Sequence, residues 1–581
     1  MKRVLFGWVV LSLGTGCGGG GGLGKPVAEF PSKAELRDMI ATRAEPVESL
    51  KTASVSSWKL EAKVPAPGAA YPAETPWDRV FARAVSETGG GALSAELRCA
   101  AEETARFYVT NGGFPDDATR RYFVERCGST LVSIRLGTLT GDVPDSVPDA
   151  EIIKQYEESV RKTVDAAGLD AQTHVGFGVA RAKGKVGVVL YSGRPVARFS
   201  NFSPLVSGDS VTLEGQVSPG AAYALALVNQ GPNGVLACEP DRTLSLPRFR
   251  VTCPIAADDQ QARIEIATRN PGRVLMEIEL AALVRRNDEA GLVYEPVTPD
   301  AETVASDGNA FQAALLGQLN DARKVAGRGP FALAAEQSSV NQKLAPHMLR
   351  AASEGNEDII DRIGLGVLAG WDVEGVIRDG GIYWGTVTSG ASPGRWLSYA
   401  LESPMGRFIL LDPDMTKVAI GAEKVNPGAI ALVTTYSFFQ SRDHRADEDA
   451  VFKELVKRRA ARKHGAPQRM PRARALESAL AQIASNATTT EDALTDVMQS
   501  VSTSEHIPVS GWIMETTDLK QITWPDVLLD QDPISVEVGV THYRAPGGAW
   551  GQYAVLFVIR EAGGERHTAK AGTPARSGGK L

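Results

Sequence analysis

The spacing of apolar residues predicts helices in the early part of the 581-residue chain. Leu97, Ala101 and Ala105 recur at four-residue intervals, which is typical of a helix with one face toward a core. Upstream, Thr75 stands before Pro76, and this pair is typical of a helix start because threonine caps free amides and proline fits the first turn. We therefore expect helices before the first long β-strands.

The pattern changes to alternation of every second residue between residues 197 and 283. Apolar and polar residues alternate in three runs, Val211–Val217, Arg263–Ala267 and Met276–Leu280. Turns rich in proline and glycine, such as Ser218–Gly220, separate the strands at short intervals. This region is predicted to be an antiparallel β-sandwich of immunoglobulin-like architecture, inserted into a chain of mixed helices and strands.

A signature in the second half of the chain occurs twice. The sequence Leu-Leu-Asp at 410–412 stands nine residues before Gly421, and the same sequence at 528–530 stands nine residues before Gly539. A hairpin pattern follows each glycine, and the β-run 186–191 resembles the second strand of these hairpins. Each of the three segments opens with two helical stretches separated by Gly or Pro, so we predict three copies of one unit.

The N-terminus has the pattern of an export signal. Lys2 and Arg3 precede an apolar run at residues 4–13, which is too short to span a bilayer permanently, and Cys17 and a glycine tether follow. This resembles a bacterial lipoprotein signal, although Leu13 stands one place early for a lipobox. We expect Cys17 to carry the lipid anchor, and the lack of an acidic residue after it favours the outer membrane. The alternative is an ordinary secretory signal with an incidental cysteine.

Four further cysteines would remain in the exported protein, namely Cys99, Cys127, Cys238 and Cys253. An even number of cysteines outside the cytoplasm favours disulfides. The two local pairings are the simplest, Cys99 with Cys127 and Cys238 with Cys253. A zinc site is the alternative, but the chain has no Cys-x-x-Cys spacing with a nearby histidine to support it.

The charge balance argues against a nucleic-acid partner. The chain has 62 Lys and Arg against 69 Asp and Glu, a net charge of −7 and a pI near 5.7. The one basic run, Lys457–His464, continues at Arg469, Arg472 and Arg474. Val451 begins an apolar stripe on the other side of this helix, so the charges are predicted to form a solvated face; phosphate contact is the alternative.

Two blocks of residues carry a resemblance to a known family. The first contains Leu319, Asn320, Arg323, Gly327, Pro330 and the helical Met348. The second contains Ser403, Pro404, Met405, Gly406 and Arg407, followed by Leu410-Leu411. The blocks resemble the CAP superfamily of cysteine-rich secretory, antigen 5 and pathogenesis-related proteins. This resemblance implies an α/β/α sandwich over about residues 311–439.

The family's chemistry does not carry over to this sequence. Its active-looking members have two histidines and two glutamates around a cleft that can hold a divalent metal. Here Gly406 stands at the second histidine, Leu344 stands at the helix histidine, and residues 380–401 contain no acidic residue. His347 is predicted to be structural or exposed. We expect no metal, no cofactor and no catalysis of the CAP type.

The predicted fold class is α+β, with tandem CAP-like units and an inserted β-sandwich. The predicted parts are a lipoprotein signal at 1–17, a flexible linker arm at 18–73, a first CAP-like unit at 74–195, the β-sandwich at 196–298, a second unit at 305–440, a third unit at 445–562 and a disordered tail at 563–581. The expected function is that of a non-catalytic envelope lipoprotein that binds an envelope protein, polysaccharide or lipid, or acts as a scaffold. The alternative is a hydrolase with a site unrelated to the CAP tetrad.

Overall fold

The computed structural model combines helices and strands throughout, as expected for an α+β protein. It describes residues 8–11, 33–42, 52–53, 55–66, 68–72, 75–88, 90–200, 202–270, 275–287, 289, 292–295, 304–354, 356–370, 376–387, 390–425, 428–439, 444–516, 519–545 and 551–561. The chain divides into two compact units, residues 1–374 with 379–438, and residues 375–378 with 439–581. Of the described helices, none is both long and apolar enough to cross a bilayer.

The first compact unit begins with four short elements, β1 (Trp8–Leu11), α1 (Lys33–Ala41), β2 (Thr52–Ala53) and β3 (Trp58–Lys59). The next group is α2 (Pro76–Glu87), β4 (Ala92–Leu93), α3 (Ala95–Asn111), β5 (Phe114–Pro115), α4 (Asp117–Arg126), β6 (Arg135–Asp142), α5 (Asp149–Ala166), β7 (His174–Ala182) and β8 (Lys185–Gly193). Thr75 caps α2 as expected: its hydroxyl accepts a hydrogen bond from the Asp78 amide at 3.1 Å. The Asp78 carboxylate accepts one from the Thr75 amide at 2.8 Å, which completes a capping box.

Part of the predicted linker arm is folded rather than flexible. The indole of Trp58 is buried and donates a hydrogen bond to Glu103 Oε1 at 2.6 Å, and the Ala62 amide donates to Glu103 Oε2 at 2.9 Å. Arg106 also lies over the Trp58 ring, 4.2 Å from its centroid. Burial of this large aromatic surface and satisfaction of the Glu103 carboxylate hold the segment against α3. A reading based on proline and alanine content alone missed these contacts.

The next region forms two antiparallel sheets. Its strands are β9 (Arg198–Phe199), β10 (Ser210–Gln216), β11 (Tyr223–Gln230), β12 (Gly234–Ala237), β13 (Glu239–Pro240), β14 (Arg248–Pro254), β15 (Gln261–Arg269) and β16 (Glu277–Arg285). The next strand, β17 (Val293–Tyr294), pairs with β3 instead. The sheet orders are β13–β14–β10–β9 and β12–β11–β15–β16. Leu213 and Val251 of one sheet share a core with Val228 and Ile264 of the other, so the predicted antiparallel sandwich is present. The finer immunoglobulin-like assignment stays a prediction.

Residues 308–438 contain α6 (Gly308–Val325), β18 (Ala332–Leu333), α7 (Ala335–Glu354), α8 (Glu357–Leu365), a π-helical turn (Gly366–Gly370), β19 (Ile377–Val387), α9 (Pro393–Glu402), α10 (Pro404–Leu410), β20 (Lys417–Val425) and β21 (Gly428–Phe438). The second compact unit contains α11 (Arg445–Ala461), β22 (Gln468–Arg469), α12 (Arg474–Ala484), α13 (Thr490–Glu505), β23 (Val509–Thr516), a 3₁₀ turn (Leu519–Gln521), α14 (Asp526–Asp530), β24 (Ile534–Tyr543) and β25 (Gln552–Glu561).

Three of the sheets have the same strand order. They run β4–β7–β8–β6, β18–β20–β21–β19 and β22–β24–β25–β23, and in each the short first strand pairs parallel to the first strand of a hairpin. The middle sheet gains β1 at its β19 edge. The strand β1 lies within the predicted export signal, and its pairing with β19 does not support the removal of residues 1–17. That removal stays a prediction.

Glycines let a helix lie directly on the hairpin in two of these sheets. A Cβ atom on Gly178 would lie 2.1 Å from the Glu102 amide nitrogen of α3, and one on Gly421 would lie 2.0 Å from the Gln342 amide nitrogen of α7. Real Cβ atoms do not approach this closely, so only glycine fits where helix and strand touch. The glycine that the sequence repeat singled out at 421 thus has a packing role.

Candidate functional site

The segment that resembles the second CAP block is the junction between α9 and α10. Ser403 is fully buried, and its hydroxyl caps α10 by accepting a hydrogen bond from the Gly406 amide at 3.2 Å. Pro404 occupies the first turn of α10, where its missing amide hydrogen costs nothing. A buried junction of this kind holds its side chains in one arrangement.

The β-sandwich contacts this junction through Glu265 of β15. Ser403 Oγ lies 2.7 Å and 2.9 Å from the two Glu265 carboxylate oxygens, to which it can donate, and the Met405 amide donates to the nearer of them at 3.0 Å. Burial raises the pKa of Glu265, and Arg121 and the Ser403 hydrogen bond act in the opposite direction. The carboxylate therefore depends on these donors for its place in the core.

Arg407 strengthens the same contact from the other end of the motif. Its guanidinium donates hydrogen bonds to the carbonyls of Gly231 at 2.8 Å and Gly234 at 2.9 Å in the sandwich, and to Leu401 at 2.5 Å in α9. Burial lowers the pKa of Arg407 to about 10. We call the contacts of Ser403, Met405 and Arg407 with Glu265, Gly231 and Gly234 the α10 joint.

Gly406, at the family's second histidine, has no room for a side chain. A Cβ atom there would lie 1.9 Å from the Ala400 carbonyl oxygen and 2.8 Å from a ring carbon of Tyr383. Tyr383 is fully buried, so neither neighbour can move aside cheaply. A histidine side chain at this position would therefore not fit, because the packing around Gly406 leaves no open cleft there.

A network of buried charges surrounds the α10 joint. Arg263 of β15 donates to Glu125 Oε2 of α4 at 2.6 Å and to the Glu402 carbonyl at 2.7 Å. Tyr294 donates its hydroxyl to Glu402 Oε1 at 2.6 Å, and burial together with Glu402 raises the pKa of Tyr294. Arg121 of α4 donates to the Tyr399 carbonyl at 2.9 Å. The network joins α4, the sandwich and α9, and such pairs are costly to break once they are buried.

The remaining residues of the resemblance are structural as well. Arg323 is buried and donates to the carbonyls of Gly329 at 2.7 Å, Leu410 at 2.9 Å and Met415 at 3.0 Å. Met348 is fully buried on α7. These contacts tie the first helix of the region to the turn after α10 and provide no reactive group.

The basic run that begins in α11 is largely exposed, as predicted, at Lys457, Arg458, Arg462 and Lys463, but Arg459 departs from this pattern. Arg459 is fully buried and donates to the carbonyls of Gly465 at 2.8 Å and Leu528 at 2.7 Å, which repeats the bonds that Arg323 makes. Arg462 pairs with Asp526 at 3.0 Å and Asp530 at 2.7 Å. These aspartates lie more than 60 residues further along the sequence, so their partial neutralisation of the positive charge could not be seen in the run itself.

The predicted cysteine pairs are confirmed. Cys99 is bonded to Cys127 with Cα atoms 5.8 Å apart, and Cys238 is bonded to Cys253 with Cα atoms 4.3 Å apart. Cys17 lies outside the described residues, so its acylation stays a prediction. The tail at 563–581 also lies outside them.

The histidines in the described residues do not assemble a CAP tetrad. His347 is half-buried on α7, and burial lowers its pKa. His506 is the C-cap of α13, whereas His542 lies beside His444 in the second compact unit, with ring centroids 3.9 Å apart. The sequence reading passed over His444. Within the described parts of the chain, no three His, Cys, Asp or Glu side chains are grouped closely enough to hold a metal ion.

A polar cleft lies within the first compact unit, away from the resemblance. Its volume is about 590 Å³, and its lining includes Ser94, Glu96, Ser129, His174, Arg198 and Phe202. Serine, histidine and a carboxylate are the residue types of a hydrolase, but Ser94 Oγ donates to Glu96 at 2.7 Å and accepts from the Leu97 amide at 3.1 Å. Ser94 is thus a helix cap bonded to a carboxylate and not a nucleophile paired with His174. We call this the Ser94–His174 cleft.

Comparisons with known proteins give little further guidance. No family model matches the chain, and no curated protein matches it. Among solved structures, one match is a cysteine-rich secretory protein from Staphylococcus aureus subsp. aureus Mu50, with 9% identity over 45% of this chain and 80% of that chain and a TM-score of 0.15.

Proposed function

We propose that the protein is an exported, lipid-anchored envelope protein that binds or supports another envelope component without catalysis. Its three sheets of like strand order are, in this proposal, CAP-like units, of which the second is fixed to the β-sandwich. The observation that carries the proposal is Gly406. Its position is closed by the Ala400 carbonyl and the Tyr383 ring, while the residues around it bond to the sandwich.

The equivalent contacts of Arg323 and Arg459 support the repeat. Both arginines come late in the first helix of their region, and both bond to a carbonyl six residues ahead and to that of the first leucine in the Leu-Leu-Asp sequence. The fold keeps these buried arginine hydrogen bonds, while the position of the family's second histidine is filled by packing. Such a structure is better suited to binding through its surface than to catalysis. Rigid repeated units of this kind offer pre-organised binding faces, which lower the entropy lost on association.

Affinity capture from envelope fractions tests the proposal. The purified chain from residue 18 onward would be immobilised and exposed to solubilised envelope, and the retained material would be identified and its covalent structure determined by mass spectrometry. We expect a retained component that is chemically unchanged after prolonged incubation. Time-dependent cleavage of that component would instead support the hydrolase alternative.

A further inference from the structure

The Ser94–His174 cleft has the size and lining of a ligand site. At about 590 Å³ it falls within the range of small-molecule sites, roughly 300–1,000 Å³. Five hydroxyl side chains line it, those of Ser94, Ser129, Thr130, Ser200 and Ser203. The Ser94 and Ser203 hydroxyls already donate and accept within the chain, whereas Ser129, Thr130 and Ser200 add hydroxyls that can donate to and accept from a ligand, which favours a ligand that is itself rich in hydroxyls.

One wall of the cleft is aromatic. Phe199 and Phe202 both line it, and their rings are stacked with centroids 5.4 Å apart and an interplanar angle of 27°. The two rings cover one another on their facing sides, so the pair offers an apolar edge beside hydroxyl groups, which suits the apolar C–H face of a sugar ring. Glu96 and Arg198 add one acceptor-only and one donor-only group to the lining.

The lining is held in place before any ligand binds. The Cys99–Cys127 disulfide links α3, which begins beside Ser94, to the turn that carries Ser129. The Ser94 amide donates to the Val175 carbonyl at 2.8 Å, and the Ser200 amide donates to the Glu214 carbonyl at 2.8 Å. Because these bonds fix the rims, little conformational entropy is lost on binding.

Other ligand classes fit the cleft less well. A polyanion requires a cluster of cations, whereas the described lining has one arginine, Arg198, and also contains the carboxylate of Glu96. An acyl chain would bury the hydroxyls and charges without partners. A peptide could add to the edge strand β9, but this strand has only two residues and offers a short ladder.

We propose that the Ser94–His174 cleft binds a short oligosaccharide segment of an envelope polysaccharide. The inference rests on the proposed function, because it names the class of component that the exported chain would hold. In this proposal a sugar ring packs against the pair of Phe199 and Phe202, and the sugar hydroxyls bond to Glu96, Arg198, Ser129, Thr130 and Ser200.

Calorimetric titration of the purified chain tests the proposal with three probes: chitotriose, maltotriose and disaccharide-peptide fragments of peptidoglycan. Ser200 is exposed at the cleft, so Ser200→Trp fills the space without disturbing a core. The matched control is Ser207→Trp, at an exposed serine outside the lining. A second variant, Glu96→Gln, removes the charge while keeping the shape of the side chain.

We expect saturable binding of at least one probe, at least tenfold weaker binding by Ser200→Trp, and unchanged binding by Ser207→Trp. Failure of all three probes to bind, or equal binding by Ser200→Trp, would overturn the proposal. Envelope capture separates this failure from failure of the proposed function. If Ser200→Trp retains the same envelope component as the wild type, binding lies elsewhere and only the cleft assignment falls.

Discussion

Gly406→Ala adds a single methyl group at the α10 joint, where the structure leaves no space for it. The new methyl group would overlap the Ala400 carbonyl oxygen, which lies 1.9 Å from the Cβ position, so α9 and α10 must separate. Overpacking a core costs about 1–3 kcal/mol, and a shift of α10 also weakens hydrogen bonds from Met405 and Arg407 worth roughly 1 kcal/mol each. We therefore expect the unfolding free energy of the first compact unit to fall by about 3 kcal/mol or more.

Gly317→Ala is the matched control. Gly317 lies within α6, and a Cβ atom there meets nothing within 4 Å. Alanine is favoured over glycine in a helix by about 0.5–1 kcal/mol, so this variant should be as stable as the wild type or more so. Urea unfolding followed by tryptophan fluorescence reports on Trp384 and Trp396, which are buried in the same unit. If Gly406→Ala unfolds at the same urea concentration as Gly317→Ala, the packing argument is wrong.

Four further predictions follow from particular residues. Cys17→Ser should release the protein from membrane fractions, and unchanged retention with no lipid label on the wild type would rule out the anchor. Arg323→Met should lower the unfolding free energy by about 3 kcal/mol because buried carbonyls lose their donor; urea unfolding against the exposed Arg328→Met as control measures this loss. Burial and His444 lower the pKa of His542 to about 4 in the folded protein. On acidification the imidazole is therefore protonated in the unfolded chain before it is protonated in the folded one, so the second compact unit should lose stability between about pH 6.5 and pH 4. Denaturation at several pH values should show a smaller pH dependence of the unfolding free energy for His542→Phe. Calorimetric titration with zinc should show no saturable binding, whereas one-to-one micromolar binding that His347→Ala or His506→Ala abolishes would place a metal site where we expect none.

Local sequence was sufficient where the structure depends on neighbours in the chain. The cap at Thr75 and the disulfide between Cys238 and Cys253 involve short separations, and both were predicted. Alternation also located the sandwich strands. These features depend on backbone chemistry and on spacing, which the sequence displays directly.

The α10 joint could not be predicted in the same way. In β15, Arg263 and Glu265 fall on the face that alternation assigns to solvent, yet both are buried because α4 and the α9–α10 junction cover that face. Alternation separates the two faces of a strand, but it does not show that a distant segment covers the polar one. The sequence did contain one indication, because Arg263 and Glu265 have opposite charges within a largely apolar strand. Buried charges are nearly always paired, so a pair of this kind could have suggested that the polar face is covered.

The linker arm was misjudged for a related reason. Its composition is typical of a flexible segment, but Leu36 and Trp58 are buried, β2 and β3 pair with β5 and β17, and Trp58 bonds to Glu103. These contacts offset the conformational entropy lost by the described part of the arm. Composition is an average over a segment and therefore does not reveal individual residues that are buried against the rest of the fold.

The central claim is that Ser403–Arg407 is a structural joint with the β-sandwich and not the remnant of an open site. A double-mutant cycle with Ser403→Ala and Glu265→Gln measures this contact directly, by urea unfolding of the wild type, the two single variants and the double variant. The account predicts a coupling free energy of about 1.5–3 kcal/mol, as for a buried hydrogen bond to a charged group. Additive effects, with coupling below about 0.5 kcal/mol, would contradict it.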